Sequence, residues 1–137
     1  MSISHIERGQ RGEDLAAHHL ESLGWQIIAR NWRPGNALRG EIDIIARDGK
    51  ILCFVEVKTR SSNQHGAPQE SVTRAKQKQI SALANAYVSL QKLDDTPCRF
   101  DVIEVWLPGN GEAKLALHRN AFDFIPASRG KSGSRVF

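Results

Sequence analysis

The sequence has few cysteines and no long apolar run. Cys53 and Cys98 are its only thiols, with no Cys-x-x-Cys and no Cys/His cluster nearby. That spacing argues against a zinc site and leaves two buried, reduced thiols as the expectation. No apolar stretch approaches the roughly 20 residues of a membrane span. The opening "MSISHIERGQRGED" is polar and has no apolar h-region, so a secretory signal is not expected and cytoplasmic residence is the default. Internal repeats are absent, and no acid follows Asp123.

What is present is an ordinary globular composition. The chain has 137 residues, 40% hydrophobic and 25% charged, a size that suits one domain with a real core. We expect a domain over residues 1–125 and a basic, disordered tail over 126–137 carrying Arg129, Lys131 and Arg135. The formal charge of +4 permits nucleic-acid binding without requiring it.

Periodicity gives the elements. Residues 1–10 read as a loose arm. A helix from Gly12 to Leu23 carries Ala16, Ala17, Leu20 and Leu23 on one stripe and ends at Gly24. Strands follow at "WQIIARNW", "EIDIIAR" and "KILCFVEVKTR". A polar loop, "SSNQHGAP", contains His65, read as a bystander. A long helix, Thr73 to Gln91, has Thr73 as N-cap and Ile80, Leu83, Ala84, Tyr87, Val88 and Gln91 inward. The fourth strand, "CRFDVIEVWL", and a short element, "AKLALHR", complete an α-β-β-β-α-β order. This is an α/β chain with a mixed sheet flanked by helices, its third and fourth strands parallel across the long helix. Trp25, Trp32 and Tyr87 are expected in the core rather than as stacking platforms.

The segment "GEIDIIARDGKILCFVEVKTR" carries the chemistry. With Asp48-Gly49 as a two-residue type I′ loop, partners sum to 97 and Glu41 faces Glu56. Ile42, Ile44, Ala46, Ile51, Cys53, Val55 and Val57 then share an apolar face. Glu41, Asp43, Phe54, Glu56 and Lys58 share the other. Asp43 and Glu56 become diagonal neighbours, ~7–8 Å apart at the backbone. Opposed acids destabilise a sheet unless a cation compensates them. Lys58 could serve in a salt-bridged strand pair. The stacking of acids at one end favours a divalent ion, and oxygen-only ligands suit Mg²⁺. Glu13 lies on the inward stripe of the first helix, either as an acid complementing the helix dipole or as a further ligand. Arg39 and Arg60 flank the acids, and Arg74, Lys76 and Lys78 form a basic patch at the start of the long helix. All five are candidate nucleic-acid contacts.

The ordered set Glu13, Asp43 and Glu56-Val57-Lys58, with "RGEDLAAHHLESLGWQIIARNWR", "GEIDIIARDG" and "FVEVKTR" around it, resembles the PD-(D/E)XK nuclease superfamily. Within it, the chain looks closest to the YraN-type family of uncharacterised bacterial proteins, which is similar to Holliday-junction resolvases. The resemblance covers about residues 9 to 106 and implies a restriction-endonuclease-like fold. It also implies Mg²⁺- or Mn²⁺-dependent hydrolysis of DNA phosphodiester bonds, with branched or damaged DNA as candidate substrates. Asp43 and Glu56 take the metal-binding positions, with the Val57 carbonyl as a further ligand. Lys58 takes the lysine that orients water, and Glu13 the helix-one glutamate. Ile42 replaces the motif's proline. Glu41 is an extra acid, open as a metal ligand, a supporting residue or a partner of Arg39. A silent nucleic-acid-binding module and a protein-interaction scaffold are the alternatives on the same fold. The resemblance implies DNA as the partner, the acid–lysine set itself does not decide between DNA and RNA, and a homodimer is compatible with a two-fold substrate.

Overall fold

The computed structural model describes residues 4–35, 37–61, 72–109 and 111–127. The 126–137 tail from residue 128 onward and most of the "SSNQHGAP" loop, including His65, lie outside them.

Helix α1 (His5–Ser22) begins seven residues earlier than periodicity suggests. Ser4 caps it, its Oγ accepting a hydrogen bond from the Glu7 N–H at 3.1 Å. The segment read as a loose arm is therefore its first turns. Its polar residues hid the helix because only the later turns bury a stripe: Ala16, Ala17 and Leu20 are buried, whereas Leu23 is the C-cap and 47% exposed. Gly12 sits mid-helix, where glycine ordinarily costs about 1 kcal/mol relative to alanine. A Cβ there would lie 2.0 Å from Thr59 Oγ1 on the sheet, so the missing side chain sets how closely α1 approaches.

The strands are β1 (Gln26–Trp32), β2 (Ile42–Asp48), β3 (Ile51–Arg60), β4 (Cys98–Trp106) and β5 (Lys114–His118), with α2 (Arg74–Leu90) between β3 and β4. They form one sheet in the order β1-β2-β3-β4-β5. All neighbours are antiparallel except β3 and β4, which run parallel across α2 as expected. Thr73 caps α2, and Ile80, Leu83, Ala84, Tyr87 and Val88 are buried; Gln91 is the exposed C-cap. The "AKLALHR" element is the edge strand β5.

Both faces of the sheet are covered. Ala16, Ala17 and Leu20 of α1 pack with Ile44, Ala46, Cys53, Val55, Ile103 and Val105. Leu83, Ala84, Tyr87 and Val88 of α2 pack with Ile45, Leu52, Phe54, Phe100 and Val102. This explains the nearly unbroken apolar run Ile51–Val55, which alternation alone does not produce. Trp25 is buried beneath the guanidinium groups of Arg99 and Arg119, and Trp32 meets Tyr87 edge-on at 5.2 Å. Cys53 is buried and Cys98 half-buried, both free. Burial pushes their thiols up to about 12 and about 11. Among the described residues, no helix is long and apolar enough to cross a membrane.

The β2–β3 register differs from expectation. Asp48 pairs with Ile51 and Ile44 with Val55, so partners sum to 99 and the loop is Gly49-Lys50. A type I′ loop at Asp48-Gly49 would need positive φ at both residues. Only Gly49 has it, at 63°, and Asp48 remains in the strand. A shift of two keeps most of the face sorting. Glu41 no longer faces Glu56, and continuing the same count sets Asp43 level with Glu56. Ile42 is the exception: it packs with the α2-side cluster, although Ile44 and Ala46 pack towards α1. Strand alternation therefore breaks at Asp43.

Candidate functional site

The β2–β3 ladder stops at Ile44–Val55. One step further, the Val57 N–H donates to Asp43 Oδ2 at 2.8 Å, so a side chain takes a strand partner's place. The strands part here, and the opening forms the floor of a cleft of about 320 Å³. Asp43, Glu56, Val57, Lys58 and Thr59 line it from the sheet, and His5, Arg8, Gly9 and Glu13 from α1. The close approach at Gly12 places its neighbour Glu13 against the strands.

Four acids meet at this end of the sheet. Glu13, Glu41 and Asp43 each offer a carboxylate oxygen within 4.8 Å of the others. Glu56, 6% exposed, also borders Asp43. Burial, then the negative charge of Glu56, pushes the Asp43 carboxyl up to about 8, against the Val57 hydrogen bond and the more distant Lys76. Burial likewise raises Glu13, opposed by its hydrogen bond from Asn31. Both shifts come first from burial, and the neighbouring carboxylates add to them.

The cations arrange themselves around this centre. Lys58 Nζ is 3.7 Å and Lys76 Nζ 4.0 Å from Glu56 Oε2, one from β3 and one from α2. Arg33 grips Glu41 with Nε at 2.9 Å and a terminal nitrogen at 2.7 Å. Arg39, one of the roles left open for Glu41 being to pair with it, has an exposed side chain, and its carbonyl accepts from Gln79 Nε2. Arg30 pairs with Asp14 at 2.7 Å and reaches Glu13 at 3.9 Å. Its hydrogen bond lowers the Asp14 carboxyl.

The structure brings Glu13, Glu41, Asp43, Glu56, Lys58, Lys76 and the Val57 backbone together. It does not bring Arg60 with them. Arg60 pairs with buried Glu104, which His118 Nε2 also meets at 2.8 Å. A buried acid on β4 claims the arginine that otherwise would flank the site. Arg74 and Lys78 are exposed on α2. Sequence reasoning missed His5 and Arg8, because the first turns of α1 read as a loose arm. It also missed Asn31, whose only sequence signal is its place in a strand between Arg30 and Trp32.

A mixed sheet with a helix on each face, and an acid–lysine cleft where two strands part, defines an α/β protein consistent with a restriction-endonuclease-like core. The chain belongs to the family described as uncharacterised protein family UPF0102, whose model matches residues 12–105. This is the YraN family that the motifs resemble. It is 46% identical to UPF0102 protein STH1475 of Symbiobacterium thermophilum over 114 residues, covering 83% of this chain and 94% of that one. It is 56% identical to UPF0102 protein CT2262 of Chlorobaculum tepidum over 99 residues, covering 71% and 73%. Identity to UPF0102 protein GSU0650 of Geobacter sulfurreducens is 47% over 115 residues, covering 84% and 88%.

Proposed function

We propose that this protein is a metal-dependent endonuclease that hydrolyses DNA phosphodiester bonds, with Mg²⁺ or Mn²⁺ held by Asp43, Glu56 and the Val57 carbonyl, and by Glu13 and Glu41. The observation that carries the reading is Asp43. It is half-buried, faces other carboxylates, has no arginine partner among the described residues, and has its carboxyl pushed up to about 8. A donor set of carboxylate and carbonyl oxygens beside an open cleft fits a hard divalent cation. When bound, such an ion supplies charge neutralisation at the phosphate and a more acidic water.

The protein's own groups do the rest. Lys58, held beside Glu56, is placed to orient the attacking water and to neutralise charge building on the non-bridging phosphate oxygens. One P–O bond forms to the water oxygen, the bond to the bridging oxygen breaks, and that oxygen takes a proton. Lys76, 4.0 Å from Glu56, and Arg8, which lines the cleft while donating to the Leu107 carbonyl, suit flanking phosphates, with Arg39, Arg74 and Lys78 contributing affinity that falls with salt. Cytoplasmic DNA is the natural partner for such a site, and branched or damaged DNA the substrate to try first.

Cleavage of linear, flapped and four-way-junction DNA with Mg²⁺ or Mn²⁺ tests this. Wild type should cleave at least one of them, and Asp43→Ala and Lys58→Ala should each lose about a hundredfold or more. No cleavage of any substrate, with no metal uptake by calorimetry, would overturn the enzyme reading. Salt-sensitive DNA binding that survived in that case would leave a binding module on the same fold.

A further inference from the structure

Asn31 lies on β1 between Arg30, which pairs with Ile44, and Trp32, which pairs with Ile42, so it is level with Asp43. Its φ is +51°, the left-handed region that asparagine tolerates better than most residues. In an extended strand, residues three apart face opposite ways. Here Ala29 and Trp32 both pack against the α2-side cluster, so alternation breaks in β1 just where it breaks in β2. The side-chain amide of Asn31 reaches the acids from this bend. Nδ2 donates to Glu13 Oε1 and to Glu41 Oε1, each at 2.9 Å. An amide nitrogen has two N–H groups, and both are spent on these carboxylates.

The neighbouring donors make a chain along the end of β1. Arg30 holds Asp14 and approaches Glu13, Asn31 joins Glu13 to Glu41, and Arg33 holds Glu41. Asn31 is its one neutral member, and it sits at the centre. An arginine or lysine there would place positive charge among Glu13, Glu41 and Asp43, where the proposed cation must go.

We infer that Asn31 is a positioning residue for the metal centre: it fixes Glu13 and Glu41 in register with Asp43 without adding positive charge to that which Arg30 and Arg33 already bring. The inference rests on the metal-binding reading above. It assigns a role to the bend in β1, which would otherwise be unexplained strain in an edge strand.

Two substitutions separate charge from geometry. Asn31→Gly keeps the left-handed backbone without strain and removes only the amide. Asn31→Lys keeps a donor and adds charge. Calorimetric titration with Mn²⁺ should show roughly tenfold weaker binding in Asn31→Gly, the scale of losing an outer-shell partner. Its metal-free melting temperature should fall less than that of Asn31→Ala, which loses the same hydrogen bonds and also carries the backbone strain. Asn31→Lys should bind Mn²⁺ more weakly still, while its metal-free form melts above that of Asn31→Ala, which shares the backbone strain but lacks the charge. Equal Mn²⁺ affinity in wild type, Asn31→Gly and Asn31→Lys would overturn the positioning role alone. Wild-type protein that takes up no Mn²⁺ would overturn this inference together with the metal reading.

Discussion

Buried carboxylates meet two treatments in this sheet: Asp101 and Glu104 are matched by arginine, whereas Glu56 and its neighbour Asp43 are not. Towards the β2–β3 turn, Asp101 is fully buried. It accepts from Arg99 at 2.8 and 3.1 Å and from the Asn120 N–H at 2.8 Å. Arg99 also reaches Asp48, and it and Arg119 lie over Trp25. The Asp48 and Asp101 carboxylates hold the Arg99 guanidinium even more firmly protonated than usual. At the other end of the hairpin, Asp43 faces Glu56, Glu13 and Glu41. Its own hydrogen bond comes from a backbone N–H. Asp101, fully buried and matched by arginine, serves the fold. An acid facing acids costs stability, and a bound cation is the offset proposed for it.

The largest effect that separates the two regions should come from the turn end. Asp101→Ala leaves the Arg99 charge without its main partner and should cost about 3–5 kcal/mol, read by chemical denaturation. Asp43→Asn should act in the opposite direction on the metal-free protein and stabilise it by about 1–3 kcal/mol near pH 8. A stability loss in Asp43→Asn comparable to that in Asp101→Ala would erase the distinction.

The pH dependence follows from the same asymmetry. The Asp43 carboxyl is raised in the folded state, so the native protein binds more protons than the unfolded chain between about pH 4 and about 8. Metal-free stability should therefore fall as pH rises through that window, and the fall should be shallower in Asp43→Asn. A thermal-melt series from pH 5 to 8.5 reads it. Gly12→Ala should cost about 1–3 kcal/mol by forcing α1 away from Thr59, and it should weaken metal uptake because Glu13 moves too. Arg33→Ala should have the smallest effect on stability, about 0.2–1 kcal/mol, since the arginine is 72% exposed.

The long helix was legible almost to the residue, because Thr73 is a cap and Ile80, Leu83, Ala84, Tyr87 and Val88 form its inner stripe, which ends before the exposed Gln91. So was the gathering of Asp43, Glu56 and Lys58, because a shift of two in register preserves which residues share a face. The register itself was not legible. Asp-Gly suggested one loop, but glycine alone supplied the positive φ, one position later. The start of α1 was hidden because its first turns bury little. Arg60 was misplaced because its partner, Glu104, is distant in sequence and becomes adjacent only through the parallel β3–β4 pairing. The breaks in alternation at Asn31 and Asp43, which aim the acids, leave no local signature in an apolar strand.

The central claim is that the acids at the open end of the hairpin are a cation site whereas those at the turn end are not. Thermal melting at pH 8 with and without Mn²⁺, in wild type and Asp43→Asn, tests it most directly. Wild type should melt several degrees higher at saturating Mn²⁺, since a ligand bound only to the native state stabilises it, and Asp43→Asn should gain little. A wild-type melt indifferent to Mn²⁺, or an equal gain in Asp43→Asn, would contradict the account.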